Sequence, residues 1–533
     1  MMASNTSLSS HNWLGLLMRV SKAAVGIILI SVMTLMALLH WPLPRAPNNG
    51  KKGDFIVRNV NVVDVIDGRV VRERDVVVRD GRISAMGEGG SALVRDDEVE
   101  IDGAGKYLIP GLWDMHVHSL KMSPHYTHPL SIANGVTGVR EMWGCPAISD
   151  SFVACGEDVE RWRTEIDDQA RLAPRYIMRS SYAVNGAAGV PDSAPPIFKA
   201  RDVVEARSLV AHEAGSGVDL IKVYTNISPE AYGALVTEAT KRGLLVGGHL
   251  PARVPLRRAL AAGQHSVEHP RIFLLECFRG ADQFRNRPDP MASYTTDMRA
   301  RLIDEHDAAF CAKLMAEMAT SETWWTPTLQ VLRMGALADR REFRNDPRKR
   351  YIPFALWRSI WGWDADRAAA RSRDASGRHV DYELYEAAKR SVREAHGAGV
   401  RIVAGTDAGD TYVFPGFAIH DELRELVLSG LSPLDALQTA TIDAARFAGK
   451  DSDYGSIAVG KVADMILVEE NPLMEIGNTG KISGLFFNGQ YLDRAALDEL
   501  LMFAEEQAAS LRTNLRLFWG ALRSPIIRAQ AAD

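Results

Sequence analysis

The sequence is poor in cysteine. Four residues in 533, with no C-x-x-C pair among them, exclude a cysteine-rich zinc site. An excess of positive charge is also missing. The 62 Lys and Arg against 67 Asp and Glu give a net charge of -5 and a pI near 6.3, so there is no basic footprint for nucleic acid. No G-x-G-x-x-G follows an early strand-like run, which argues against a dinucleotide fold. No repeat of solenoid length occurs. One stretch lacks charge altogether: AAVGIILISVMTLMALLHWPL, residues 23–43, holds no Asp, Glu, Lys or Arg.

That run is about as long as a membrane span requires, and it is apolar on every face. Arg19 and Lys22 precede it, and the positive-inside bias keeps them in the cytoplasm and sends the rest outward. The run ends in HWPLPRAPNNG without a clean A-x-A site, so it reads as an uncleaved anchor, periplasmic-facing in a Gram-negative cell; a cleaved signal peptide and secretion is the rival reading. Cys145, Cys155, Cys277 and Cys311 allow three disulfide pairings, and free, partly buried thiols fit the sequence at least as well.

Residues 1–50 therefore form an anchor or signal segment and linker. Residues 51–109 are Val- and Ile-rich, with Asp-Gly pairs at 67–68 and 80–81, and read as β-hairpins. From 110 to 445 short apolar runs alternate with helical patterns such as SPEAYGALVTEATKRG, which predicts a parallel (β/α) architecture, a barrel before an open sheet. Residues 274–390 read as an insertion over one barrel mouth. Residues 446–495 return to β-pattern and can complete the first β-region. Residues 496–533 read as one amphipathic helix that packs on the body by default, or on a second subunit of a homo-oligomer, or at the membrane surface.

The chemistry-bearing residues sit where strand-like runs end. In GLWDMHVHS, His116 and His118 are two apart, and on a strand they point to one side. Lys222 follows an apolar run in DLIKVY, His249 ends LLVGGHL, His269 ends HSVEHP, and Asp407 ends VRIVAGTDAG. Each alone has a plain structural reading: a snorkelling lysine, a core histidine, a turn aspartate. Together they occupy the strand ends that carry catalysis in a barrel. Tyr224, two residues after Lys222, faces the same way and can contact substrate. Arg140, in TGVRE, is a candidate substrate-carboxylate partner, but a structural ion pair is the leading reading.

This ordered set, with LIPGLWDMHVH, GVTGVRE, GGHL, GTDAG and GSIAVGKVADMILV, resembles the amidohydrolase superfamily, in its imidazolonepropionase-like or prolidase-like branch, over about residues 54–490. The resemblance implies a (β/α)8 TIM-like barrel beside a small β-sandwich built from both chain ends. It implies two divalent metal ions, zinc before manganese, cobalt or iron. One would be held by His116, His118 and Asp407 and the other by His249 and His269. Lys222 would bridge them as a CO2-derived carbamate. A hydroxide between the metals would attack an amide-type C–N bond of a dipeptide or N-acyl amino acid, with Asp407 shuttling the proton. The alternatives are a cyclic amide, lactone or amidine substrate and, in another class, a membrane-tethered binding protein without activity.

Overall fold

The computed structural model describes residues 10–530 apart from 92–94, 96–97, 146–148 and 187–198. Residues 1–9 of the N-terminal segment and 531–533 of the C-terminal stretch lie outside the described residues.

Two-residue turns build the β-region. Arg79 pairs with Arg82 around Asp80-Gly81, and Phe487 pairs with Gln490 around Asn488-Gly489. All four turn residues have positive φ, from 50° to 72°, which suits the twist of a tight hairpin. A nine-stranded sheet results, and it draws strands from both ends of the chain. The seam lies where Met465–Val468 runs antiparallel to Tyr107–Pro110. Phe55, Val57, Val76, Leu108, Leu467 and Phe486 form its apolar core.

A second assembly begins at residue 112. Leu112–Val117 pairs in parallel with Val136–Glu141, and that strand with Arg175–Arg179. A parallel bridge from Ser180 to Leu220 leads to Leu220–Val223, which pairs with Leu245–Gly248. His265 N–H donates to Val246 O at 2.7 Å, and Ser266–Glu268 then pairs with Trp324–Thr326. Parallel bridges from Trp325 to Ile402 and from Ala408 back to Val117 close the ring. Helices separate these segments, and their ends follow the local sequence. Ser228 caps the helix Pro229–Lys241 through the Ala231 N–H with proline at the first position, and Gly263 ends Leu256–Ala262 in the left-handed region at φ 80°.

Two expectations need correction. The stretch 274–390 is not one insertion. The buried strand Trp324–Thr326 runs through it and divides it between two strand-to-helix connections. The C-terminal stretch is three helices, Arg494–Ala509, Leu511–Arg523 and Pro525–Gln530. Ser510 and Ser524 are extended between them, and Pro525 disfavours helix in the residue before it. The cysteines, whose state the sequence leaves open, are paired: Cys145 bonds to Cys155, and Cys277 to Cys311.

The helix Ser10–His40 contains a 23-residue segment, Met18–His40, of mean hydropathy 2.3, long and apolar enough to be a membrane span or a signal sequence.

Buried histidines tie the two assemblies together. His420, on the helix Phe417–Leu428, bonds to Thr479 Oγ1 at 2.9 Å and Asn134 O at 3.0 Å, and burial lowers its pKa to about 4. The unfolded chain takes up this proton below about pH 6.5 while the native state does not, so stability falls as pH drops from about 6.5 to about 4. His420 should contribute on the order of 3 kcal/mol to that loss. Urea unfolding midpoints from pH 7.5 to 4 should show a shallower acid limb for His420→Gln than for the natural protein.

Candidate metal centre and active-site cavity

Alternation along Leu112–Val117 sends Asp114 and His116 into the ring, with His118 just beyond the strand. Asp114 accepts from the His116 N–H at 3.2 Å, the Thr406 N–H at 3.0 Å and Thr406 Oγ1 at 2.6 Å. It thereby pins the first strand to the loop that carries Asp407. The Asp407 N–H completes the tie by donating to His116 O at 2.8 Å. Gly405 is required where this loop crosses, because a Cβ there would sit 2.8 Å from His116 Cβ and 2.9 Å from its backbone nitrogen.

Asp407 Oδ1 lies 3.3 Å from His116 Nε2 and 3.2 Å from His118 Nε2. The ligand atoms of these three residues all fall within 4.8 Å of one another. All three atoms are buried, and none makes a hydrogen bond. Lone pairs that face each other without a proton or cation between them are costly, so the donor set fits a divalent metal ion. The other ring nitrogen of His116 lies 3.0 Å from Glu268 Oε2. A carboxylate there fixes the proton on Nδ1 and leaves Nε2 as the donor to a metal.

His249 and His269 lie beside this group, with ring centroids 4.6 Å apart; the His269 ring is 5.1 Å from that of His116. His249 Nδ1 bonds Thr225 Oγ1 at 2.7 Å, and His269 Nδ1 bonds Thr328 Oγ1 at 3.0 Å. Burial, aided by neighbouring positive charge, holds all four histidines well below their usual pKa. They are therefore neutral, the form that ligates. His269 and Asp407 take left-handed backbone, φ 73° and 63°, unusual for residues with side chains and characteristic of functional sites. The Trp325 indole N–H donates to His269 O at 2.9 Å and holds that conformation.

The Lys222 amine is buried and donates to Met142 O at 2.6 Å. Among the described residues no carboxylate lies within salt-bridge distance of it, and burial lowers its pKa. Burial raises the carboxyl of Asp407 to about 8, with the Asp410 charge adding to it; a bound cation would act in the opposite sense.

Of the two readings open for Arg140, the structure shows the structural ion pair and not the substrate contact. Arg140 is fully buried beneath the histidines. Its guanidinium donates to Glu268 Oε2 at 2.8 Å, Ser266 Oγ at 2.9 Å, Thr326 Oγ1 at 3.2 Å and Met115 O at 2.5 Å. Glu268 and Asp114 were missed, although both fall on the inward alternation of a strand already singled out for its histidine.

Above the histidines opens a cavity of about 490 Å³. Lys222, Tyr224, His118, His249, His269 and Asp407 line one end of it. The Tyr224 ring lies 4.1 Å from that of His249. Trp143, Leu332, Leu356, Ile360, Trp361 and Ile527 make an apolar wall. Among the tryptophans, Trp361 belongs to this wall and Trp325 to the core, whereas Trp363 is exposed. Two guanidiniums also line the cavity. Arg299 is paired with Asp381 at 2.7 Å, whereas Arg271 makes no ion pair among the described residues. Arg271 follows His269-Pro270 directly, and that adjacency was the available signal.

A sequence profile of the Amidohydrolase family matches residues 377–492, which include Asp407. Ochratoxinase of Aspergillus niger is 24% identical over 469 residues, 77% of this chain and 80% of that protein. Adenine deaminase 3 of Rhizobium meliloti is 24% identical over 445 residues, 79% of this chain and 55% of that protein. Among solved structures, bottromycin amidohydrolase aligns over 89% of this chain and 94% of its own, with a TM-score of 0.63 and 23% identity. A Xaa-Pro dipeptidase with bound methionine aligns over 83% and 100%, with a TM-score of 0.58 and 20% identity. The resemblance to the amidohydrolase superfamily, with prolidase-like neighbours, is borne out, and the chain has that superfamily's mixed α/β fold.

Removing Arg140 strands the buried Glu268 carboxylate. Arg140→Met should lower unfolding stability by about 3–5 kcal/mol, read from denaturant unfolding. A variant of unchanged stability that bound substrate less tightly would instead restore Arg140 to the substrate.

Proposed function

We propose, from this amidohydrolase relationship, that the chain is a metal-dependent hydrolase of amide-type C–N bonds in a dipeptide or N-acyl amino acid, working at the mouth of a (β/α)8 TIM-like barrel. The observation that carries the reading is the convergence of three buried, unbonded donor atoms, His116 Nε2, His118 Nε2 and Asp407 Oδ1, at the floor of a substrate-sized cavity. Relatives named as a Xaa-Pro dipeptidase and a prolidase support the dipeptide class.

His116, His118 and Asp407 would hold one divalent ion, most simply zinc, and His249 and His269 a second. Such ions supply Lewis acidity, lowering the pKa of water toward 7 and polarising the scissile carbonyl. Lys222 would join the two as a carbamate. A buried ammonium cannot ligate a cation, whereas its carbamate is an anionic two-oxygen ligand, and no carboxylate neutralises the amine among the described residues. Asp407 takes the proton from water and returns it to the leaving amine.

Beside the histidines, Arg271 and Tyr224 receive the substrate carboxylate. Arg271 takes the role for which Arg140 was a candidate, because it lines the cavity and makes no ion pair among the described residues. The catalytic domain faces outward from a membrane anchor, and two disulfides suit the oxidising compartment this implies.

Metal analysis of the purified chain should give about two ions, and a panel of dipeptides and N-acyl amino acids should find a substrate. Asp407→Asn should lose on the order of 10²–10⁴ in kcat. Lys222→Ala should lose metal and activity together; full retention of both removes the bridging role. Two bound metals with no turnover of any panel member would favour a binding protein.

Arg271→Met should raise KM about 10- to 100-fold for substrates with a free carboxylate, the worth of a charged hydrogen bond. It should leave carboxamide analogues unaffected. An equal loss for both substrate forms would assign Arg271 a structural role.

A further inference from the structure

The helix Leu511–Arg523 buries one side and leaves the other bare. Thr513, Asn514, Leu517 and Gly520 pack on the body, with the Ser151 hydroxyl donating to Gly520 O at 2.7 Å. Leu511, Phe518, Trp519 and Leu522 are 58%, 58%, 43% and 55% exposed. The helix carries three arginines and no acidic residue. Large apolar side chains are rarely left bare in a row without a partner.

What covers this face follows from where the helix lies. Arg512 donates to Trp41 O at 2.8 Å and Pro42 O at 2.6 Å, and Arg516 donates to Trp41 O. These carbonyls directly follow the apolar helix Ser10–His40, whose last turn leaves acceptors unsatisfied and carries the negative end of its dipole. Two guanidiniums therefore cap the point at which the apolar segment ends. If that segment spans a bilayer, Leu511–Arg523 is held at the surface from which the chain emerges. Trp41, 69% exposed, and Trp519 supply the aromatic character of that depth, and Arg512, Arg516 and Arg523 match anionic headgroups.

We infer that Leu511–Arg523 is an interfacial membrane helix, with Phe518, Trp519 and Leu522 seated among the acyl chains of an anionic bilayer. The inference rests on Met18–His40 being a retained span. Its consequence reaches the site. Gly520 packs against the backbone of Ser151 and Phe152, and Phe152 and Ile527 line the active-site cavity. The cavity wall is thus tied to the helix that lies on the lipid, an arrangement suited to amides with an apolar tail.

All four native cysteines are paired, so Phe518→Cys supplies a single thiol for an environment-sensitive fluorophore on the full chain. In phosphatidylcholine–phosphatidylglycerol vesicles the emission should shift to the blue and be quenched by lipids brominated near the headgroup end of the acyl chain, and not by aqueous iodide. The same label at Glu230, on the exposed side of the distant helix Pro229–Lys241, should behave oppositely. Quenching of the Phe518 label by iodide overturns the proposal. Protection from both quenchers also overturns it, in favour of a second protein copy. N-terminal sequencing separates the premises. A chain beginning beyond His40 shows that the span was removed and the proposal with it. An intact N-terminus with an iodide-accessible label shows that the anchor stands and the interfacial helix does not.

Discussion

Arg140 sends its guanidinium across the interior of the ring and bonds at once to Met115, Ser266, Thr326 and Glu268. Those partners lie on the first, sixth and seventh parallel segments, so one side chain sets their relative height. Glu268, neutralised from below, is free to accept a hydrogen bond from the Nδ1–H of His116. The imidazole is then committed to present its other nitrogen upward. A buried cation thus orients a ligand it never touches, and the unbonded donors above it follow from that bond. Remote support of this kind is what keeps a metal ligand within the narrow geometry that binding demands.

The division between ring and connections is also a division of labour. Residues suited to metal stand at strand ends or in the turns immediately after them, where backbone pairing fixes their position. The walls come from the long connections and from the chain terminus: Trp361 from a π-helical turn at Leu356–Trp361, Tyr294 and Arg299 from the helices after Arg271, and Ile527 from the last helix. Such walls need restraint, and the disulfides are placed to give it. Cys145–Cys155 begins two residues after Trp143, whose ring lies 5.4 Å from that of His118, and three after Met142, whose carbonyl accepts from Lys222. Cys277–Cys311 closes the excursion that carries Tyr294 and Arg299. Chemistry is held by backbone pairing, and selectivity by cross-linked loops that can vary without disturbing it.

How far a sequence discloses such a site depends on the distance over which each residue's role is decided. The alternation Asp-x-His-x-His in GLWDMHVHS is a local fact of strand geometry, so the aim of His116 and His118 was readable. The two-residue step from Lys222 to Tyr224 was readable for the same reason, and both line the cavity. The hairpins at Asp80-Gly81 and Asn488-Gly489 rest on two residues each. Arg140 and Arg271 differ in the opposite way. Both are arginines near strand ends, and only closure of the ring decides that one is sealed under the histidines while the other reaches the cavity. The cysteine pairing was hidden because it depends on where two long connections return.

The same reasoning bears on the N-terminal helix, which length and composition alone leave between a membrane span and a signal sequence. A segment destined for removal has no reason to be matched by side chains of the mature domain. Here Arg512 and Arg516, more than 450 residues away, donate to the carbonyls just past the helix end. Without those carbonyls two partly buried guanidiniums would stand side by side with fewer acceptors, and burial together with the charge of Arg512 already lowers the pKa of Arg516. The cost of that juxtaposition is offset only while Trp41 and Pro42 stay. The segment just past the helix end and its two arginines therefore form one structural unit, and it is on this geometry that the proposed anchor rests.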